Sequence, residues 1–232
     1  MRRRPDIETN HEENVFALST GDLMAGLLFI FILLLMGALL QVQKQAEKDK
    51  ELADRYDNTK THLYIDLQDE FKRDLAVWGA VMDSSMMSIR FQEPSMLFDE
   101  GMAVLKPRFK EILDDFFPRY IEVLSRPQYR DKIREIRIEG HTNSNGEYFS
   151  NMELSQDRTR SVLQYCLGIT KADNVEWLRG VITANGLSSS HPVMRGGVED
   201  KDLSRRVEFR IRTNAEEVLE EIRAIRDRGK HE

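Results

Sequence analysis

Cysteine is almost missing from this chain. Cys166 is the only one in 232 residues, which excludes an intrachain disulfide and any cysteine-rich metal site and leaves a small buried thiol. Histidine is scarce as well. None of the five (His11, His62, His141, His191, His231) has zinc-ligand spacing, and neither a P-loop nor a nucleophile elbow occurs, so no enzymatic motif is present. An excess of positive charge is also lacking. With 34 basic and 40 acidic residues the formal charge is -6, and without a bulk basic patch direct nucleic-acid binding has no electrostatic support.

Set against this polar background is one long apolar run. Val15 to Val42 reads VFALSTGDLMAGLLFIFILLLMGALLQV and carries a single formal charge, Asp22. The 18 uncharged residues from Leu23 to Leu40 are long enough for a transmembrane helix rather than a core helix. The run is too long for a signal-peptide core of about 7–15 residues, and no small-residue cleavage site follows, so it is expected to persist as an anchor. An ionisable carboxylate in such a span costs roughly 2.5–3.5 kcal/mol at the helix centre and is usually kept for a proton or ion task. A helix-end cap is the simpler role for Asp22. Against it stand the apolar VFAL that precedes and the presence of Ser19 and Thr20, which would cap equally well. Both lie close enough to hydrogen-bond near Asp22. Ala25, Gly26, Gly37 and Ala38 would let a neighbouring helix approach closely, consistent with an oligomer.

The rest of the chain divides by composition. Residues 1–14 are polar and aperiodic and are expected to form a loose tail. Residues 43–82 are charged and favour helix, with apolar residues at Leu52, Tyr56, Leu63, Leu67, Phe71, Leu75, Trp78 and Met82; this spacing predicts a helical spacer. Residues 83–232 form the soluble domain. There the pattern predicts a weak strand at Met86–Phe91, turns over Pro94–Gly101, and a helix over Lys106–Leu124 that Pro118 should kink or break. A half-buried strand follows at Ile133–Glu139, then a loop GHTNSNG. A helix over Asn151–Leu167 has Leu154, Val162, Leu163 and Cys166 inward. The remaining predictions are a strand at Val181–Ala184, a loop over Gly186–Gly197, a strand at Val207–Ile211 and a terminal helix over Ala215–Arg228. Strands and helices alternate, as in a mixed α/β domain. Three basic residues flank the span on each side, Arg2, Arg3 and Arg4 before it and Lys44, Lys48 and Lys50 after it, so charge counting leaves the topology open.

Ile138 to Val162, IEGHTNSNGEYFSNMELSQDRTRSV, resembles the peptidoglycan-binding signature GHTDxxGxxxxNxxLSxxRAxxV of the OmpA-like C-terminal family. Gly140, His141, Thr142, Asn151, Leu154, Ser155, Arg158 and Val162 fall on matching positions, and GLSSSHPV and LSRRVEFRI are similar to its GxSxxxPV and NRRVEF segments. The resemblance spans about 130 residues. It implies an α/β OmpA-like domain, helices packed on a small mixed sheet, with a cleft for the diaminopimelate-type peptide stem of peptidoglycan; Thr142, Asn143, Asn151 and Arg158 are its implied ligand-binding residues. Asn143 stands where the family has an Asp that accepts the ligand's ammonium, so the charge-assisted part of that bond is lost. Arg158 is retained where a bidentate fork suits a carboxylate.

Tail, apolar span with an early Asp, helical segment and OmpA-like domain together resemble the B subunits of the MotA–MotB stator class. TGDLMAGLLFIFILLL is closer to those of the Zorya anti-phage systems than to flagellar ones, which usually carry Tyr or Trp near the Asp. The resemblance implies a single-pass protein of the bacterial inner membrane with its N-terminus cytoplasmic and its OmpA-like domain periplasmic. It further implies a self-dimer inside a pentamer of MotA- or ZorA-like subunits, H+ as the ion translocated by Asp22 with Na+ as the alternative, no other cofactor, and cytosolic defence effectors downstream. A flagellar stator subunit and a purely structural membrane-to-wall tether remain alternatives; the tether gives Asp22 no task.

Overall fold

The computed structural model describes residues 9–92 and 94–214. The chain divides into two units, Met1–Leu52 and Ala53–Glu232. Helix α1 (Thr9–Phe71) begins in the first. Its stretch Gly21–Lys48 is, among the described residues, the one helical segment long and apolar enough to cross a membrane. Large side chains from Leu23 to Leu40 are exposed along it, which in water would be a steep penalty and in hydrocarbon is none. Residues 9–14, expected in a loose tail, form the first turns of α1. The expected terminal helix over 215–228 lies outside the described residues.

The second unit is built on a five-stranded sheet. Its strands are β1 (Ala80–Asp83), β2 (Ser88–Phe91), β3 (Ile133–His141), β4 (Ile182–Gly186) and β7 (Arg206–Thr213), ordered β1-β2-β7-β3-β4. Only β3 and β4 run parallel; the other pairs are antiparallel. The parallel step needs a crossover, supplied by α5 (Tyr148–Ile169) and α6 (Ala172–Val181). Short helices α2 (Pro94–Leu97), α4 (Pro127–Arg130) and α7 (Lys201–Ser204) and a hairpin of β5 (Met194–Arg195) and β6 (Val198–Glu199) fill the connections.

Strand alternation sends Ile136, Ile138, Val207, Phe209 and Ile211 into the core. Helix α3 (Pro107–Leu124) covers them with Phe109, Ile112, Phe116, Phe117 and Tyr120, all buried. It runs unbroken through Pro118. Proline inside a helix costs about 3 kcal/mol, and the buried side chains on both sides of Pro118 outweigh that. Phe116 is the hub, with its ring centre 5.3 Å from Phe71, 5.9 Å from Trp78, 5.2 Å from Phe91, 5.0 Å from Tyr120 and 5.1 Å from Phe209. Cys166 is fully buried on α5.

The stretch expected as a spacer over 43–82 does not stay a spacer. Helix α1 ends at Phe71, β1 occupies Ala80–Asp83, and Leu63, Leu67, Phe71 and Trp78 are buried in the core. The stripe is helical as far as Phe71 and gives way to turns over 72–79 and then β1, and the surface it meets is the domain itself. Arg119 on α3 donates to Glu70 at 2.7 Å and Asp74 at 2.9 Å, and Asp66 accepts from Arg126 at 2.8 Å and from the Tyr129 hydroxyl at 2.9 Å. Such half-buried networks hold geometry better than isolated surface pairs do.

Phe116→Ala should therefore lower unfolding free energy by roughly 3–5 kcal/mol, read by denaturant titration with tryptophan fluorescence. A loss under about 1 kcal/mol would mean that the core is not organised around this ring.

Candidate functional site

Helix α5 lies unusually close to the sheet at two glycines. A Cβ on Gly140 of β3 would come 2.6 Å from Thr159 Cγ2 and 2.9 Å from the Ser155 carbonyl oxygen; one on Gly186 of β4 would come 2.3 Å from the Gln156 nitrogen. The inward face of α5 is therefore Ser155, Thr159, Val162 and Cys166. Leu154 and Leu163, expected inward, are only partly buried. Small polar side chains fit where the helix touches backbone, and Ser155 Oγ uses its position to accept from the Ser188 N–H at 3.1 Å. The Thr142 N–H donates to Ser188 O at 2.9 Å, and Ser188 Oγ to Tyr148 O at 2.8 Å. The end of β3, the loop after β4 and the start of α5 are thus sewn together.

Residues 142–147 form a closed loop above this seam, with Gly146 at φ +86 as its turning point. Asn143 Oδ1 accepts from the Asn145 N–H at 3.2 Å, and Asn143 Nδ2 donates to Lys201 O at 3.4 Å. Asn151 Nδ2 donates to Asn145 O at 2.8 Å and Asn143 O at 3.4 Å. Lys201 Nζ donates to Asn145 Oδ1 at 2.6 Å, and Glu199 accepts from both the N–H and the hydroxyl of Ser144. Thr142 is buried, and its hydroxyl has no partner among the described residues. Thr142, Asn143 and Asn151 are therefore brought together. The side chains of Asn143 and Asn151 are engaged in holding the loop.

Arg158 stands apart from these three. It points into a cavity of about 40 Å³ lined by Phe98, Glu100, His141, Arg205 and Arg206 among others, with Thr142, Asn143 and Asn151 not in its wall. Its guanidinium stacks on Phe98 at 4.9 Å and donates to Met102 O at 2.9 Å and Asp99 O at 3.2 Å. No carboxylate partners it among the described residues. Burial, and then the nearby Arg205, push its pKa down to about 10. A half-buried cation held by carbonyls and lacking a counter-ion is prepared for an anion.

Behind the cavity lies the polar face of the sheet. Register places Glu135 opposite Arg212, Arg137 opposite Arg210, Glu139 opposite Glu208 and His141 opposite Arg206. Glu208 takes Arg206 at 2.6 Å and Arg90 at 3.0 Å; Glu135 takes Arg137 at 2.7 Å and Arg212 at 3.4 Å. This pairing holds the Glu135 carboxyl down at about 2 against the opposing effect of burial. His141 Nε2 lies 3.8 Å from both Glu139 and Glu208, and neither ring nitrogen has a hydrogen-bond partner among the described residues. Burial, aided by Arg206, pushes its pKa below the usual histidine value. Glu139, His141 and Glu208 are close enough to share a metal ion. Four arginines (Arg90, Arg137, Arg206, Arg210) already approach those carboxylates, which makes the trio unfavourable for a cation.

Ser19 and Thr20 lie on α1, with their side chains outside the described residues, and Asp22 is exposed near the start of the apolar segment. Sequence reasoning missed Arg205 and Arg206 as cavity residues. The available signal was the alternation in RRVEFRIR, which puts Arg206 and Glu208 on one face of the strand.

Residues 97–203 match the OmpA family. The chain is 43% identical over 215 residues to the Zorya protein ZorB of Escherichia coli (strain Crooks), covering 88% of this chain and 91% of that protein. It is 24% identical over 221 residues to another Zorya protein ZorB, from Escherichia coli O139:H28, covering 90% and 83%. Among solved structures, a MotB-like protein from Desulfovibrio vulgaris aligns with 25% identity and a TM-score of 0.49, over 71% of this chain and 98% of that one.

The depressed pKa of His141 has a stability consequence. Between its folded value and about 6.5 the unfolded chain binds the proton and the native chain does not, so stability present above pH 6.5 is lost as pH falls. The carboxylates with lowered pKa, such as Glu135 and Glu139, add their own loss only below about pH 4.5. Unfolding free energy should thus decline from pH 7 to 5, and His141→Gln should flatten that decline. An equal slope in both proteins would remove His141 as its source.

Proposed function

The chain belongs to the Zorya ZorB family, and on that premise we propose that it is the B subunit of an ion-driven, stator-type motor of the bacterial inner membrane, anchored to peptidoglycan and acting in anti-phage defence. The observation that carries this is the pairing, in one chain, of a lone carboxylate at the start of an apolar helix with an OmpA-family domain that presents an uncompensated arginine. In the proposed arrangement the chain crosses the membrane once, its N-terminus cytoplasmic and its second unit periplasmic. Two copies stand inside a pentamer of MotA- or ZorA-like subunits.

Asp22 is the ion carrier. An ionised carboxylate in hydrocarbon is costly, and taking up a proton removes the cost. If the surrounding subunits pack differently around the two forms, each proton moving inward drives a step, and each releases about 2.3 kcal/mol per 100 mV of membrane potential. Ser19 and Thr20, one helical turn or less before Asp22, supply hydroxyls near its path. Torque is useful only if one part is held still. Arg158, by binding a carboxylate of the wall peptide, holds the B dimer against the cell wall while the A subunits turn, and the rotation or its interruption signals to cytosolic effectors. Thr142, Asn143 and Asn151 shape the loop beside that contact. The only bond made and broken is the O–H bond of the Asp22 carboxyl as the proton comes and goes.

Asp22→Asn, in an operon that otherwise protects cells from phage, should abolish protection while leaving membrane insertion and partner assembly intact. Full protection with normal assembly would leave the tether as the better account. Arg158→Ala should lower co-sedimentation of the detergent-solubilised chain with purified sacculi by about tenfold, the scale of one charge-assisted pair; undiminished binding would remove Arg158 as the anchor.

A further inference from the structure

An ammonium group on a ligand is held best by an oxygen that carries no donor already. Around the loop and the cavity most acceptors carry one, the Thr142 hydroxyl excepted. Asn143 Oδ1 holds the Asn145 N–H, Asn145 Oδ1 holds the Lys201 ammonium, and Glu199 holds Ser144. Asp99 pairs with Lys106 at 3.0 Å, and the carbonyls of Asp99 and Met102 are taken by Arg158. Lys201 moreover puts a positive charge on the loop, which repels an incoming amine. Glu100, exposed at the rim, is the carboxylate left over.

Donors are in the opposite condition. Arg205 lines the same cavity as Arg158, and its buried Nε has no hydrogen-bond partner among the described residues. The one carboxylate it touches is the exposed Asp202, at 2.6 Å through Nη2. Both ring nitrogens of His141, which also lines the cavity, are without a hydrogen-bond partner among the described residues. Two guanidiniums without a carboxylate between them repel each other, and the simplest relief is a bound anion that both can grip.

We propose that this pocket reads the wall peptide through its carboxylates alone, with Arg205 as the second guanidinium beside Arg158, and that it requires no free amine on the ligand. The proposal rests on the wall-binding function above and narrows it. The ligand class is an acidic peptide stem with an unamidated carboxylate. Because the amine is not read, stems whose side-chain amine is acylated, as in a cross-link, bind as well as free ones do.

The test uses the full chain in detergent micelles and three disaccharide–tripeptide probes, titrated calorimetrically: one with free amine and carboxylates, one acetylated on the diaminopimelate amine, and one amidated on its carboxylates. Acetylation should change affinity by less than about threefold and amidation should weaken it by about thirtyfold or more. Arg205→Gln should weaken the free and acetylated probes equally, by about tenfold, with Arg205→Lys intermediate, and Glu100→Gln, which removes a negative charge from the rim, should bind at least as tightly as the wild type. Far-ultraviolet circular dichroism of each variant identifies any that has lost its fold, and Arg205→Lys then carries the comparison. Acetylation as damaging as amidation, a loss in Glu100→Gln, or wild-type affinity in Arg205→Gln would each overturn the proposal. If the wild-type chain binds none of the three probes, the wall-binding function falls and this proposal with it.

Discussion

The close approach of α5 to the parallel strands is the constraint on which the soluble unit depends. Gly140 and Gly186 have no side chain because α5 backbone occupies the space a Cβ would need. Once the helix is seated there, its start is fixed against the ends of β3 and β4, and the loop between β3 and α5 has only six residues to arrange, from Thr142 to Glu147. That short reach lets Asn143, Asn145 and Asn151 close the loop on themselves. The same seating sets where Arg158, further along α5, meets the carbonyls of Asp99 and Met102. Loop and arginine are positioned by one contact, though they do not share one cavity.

The two faces of the sheet solve opposite problems. On one, aromatic rings meet mostly edge to face around Phe116, an arrangement that suits their charge distribution. On the other, charged side chains are packed nearly as tightly, and burial of ions is tolerable only when each has partners. The ladder from Asp83 through Arg90, Glu208 and Arg206, and from Arg212 through Glu135, Arg137 and Glu139, provides them. His141 is left without a hydrogen bond among the described residues, and it faces the cavity together with Arg206.

Most of this architecture is legible in the sequence. Alternation in IREIRIE and VEFRI marks β3 and β7, and the period of three or four marks α3 and α5. What escaped notice has physical causes. Helix α6 and the four-residue strand β1 are too short or too mixed in composition to show a period. The 43–82 stripe gives its helical spacing but not the identity of the surface it meets, since period alone does not distinguish a free spacer from a core helix. Ser155 and Thr159 break the apolar rule because they face glycines. Arg158, Asn143 and Asn151 are singled out in the sequence by the OmpA-like motif alone, whereas the nearness of Arg205 to Arg158 depends on α5 and the segment leading into β7 meeting in space, which no local pattern encodes.

Cys166 sits at the foot of α5 with its thiol pushed well up by burial and by Asp114. The thiolate is the form that reacts with oxidants, alkylating agents or a disulfide, so this residue is chemically silent while the domain is folded. A cysteine introduced on the surface, for example in place of the exposed Phe149, would then be the sole reactive thiol in the chain. Spin labels, fluorophores and copy-to-copy cross-links can be installed one position at a time without first stripping out a native thiol, and labelling of Cys166 itself becomes a reporter of unfolding.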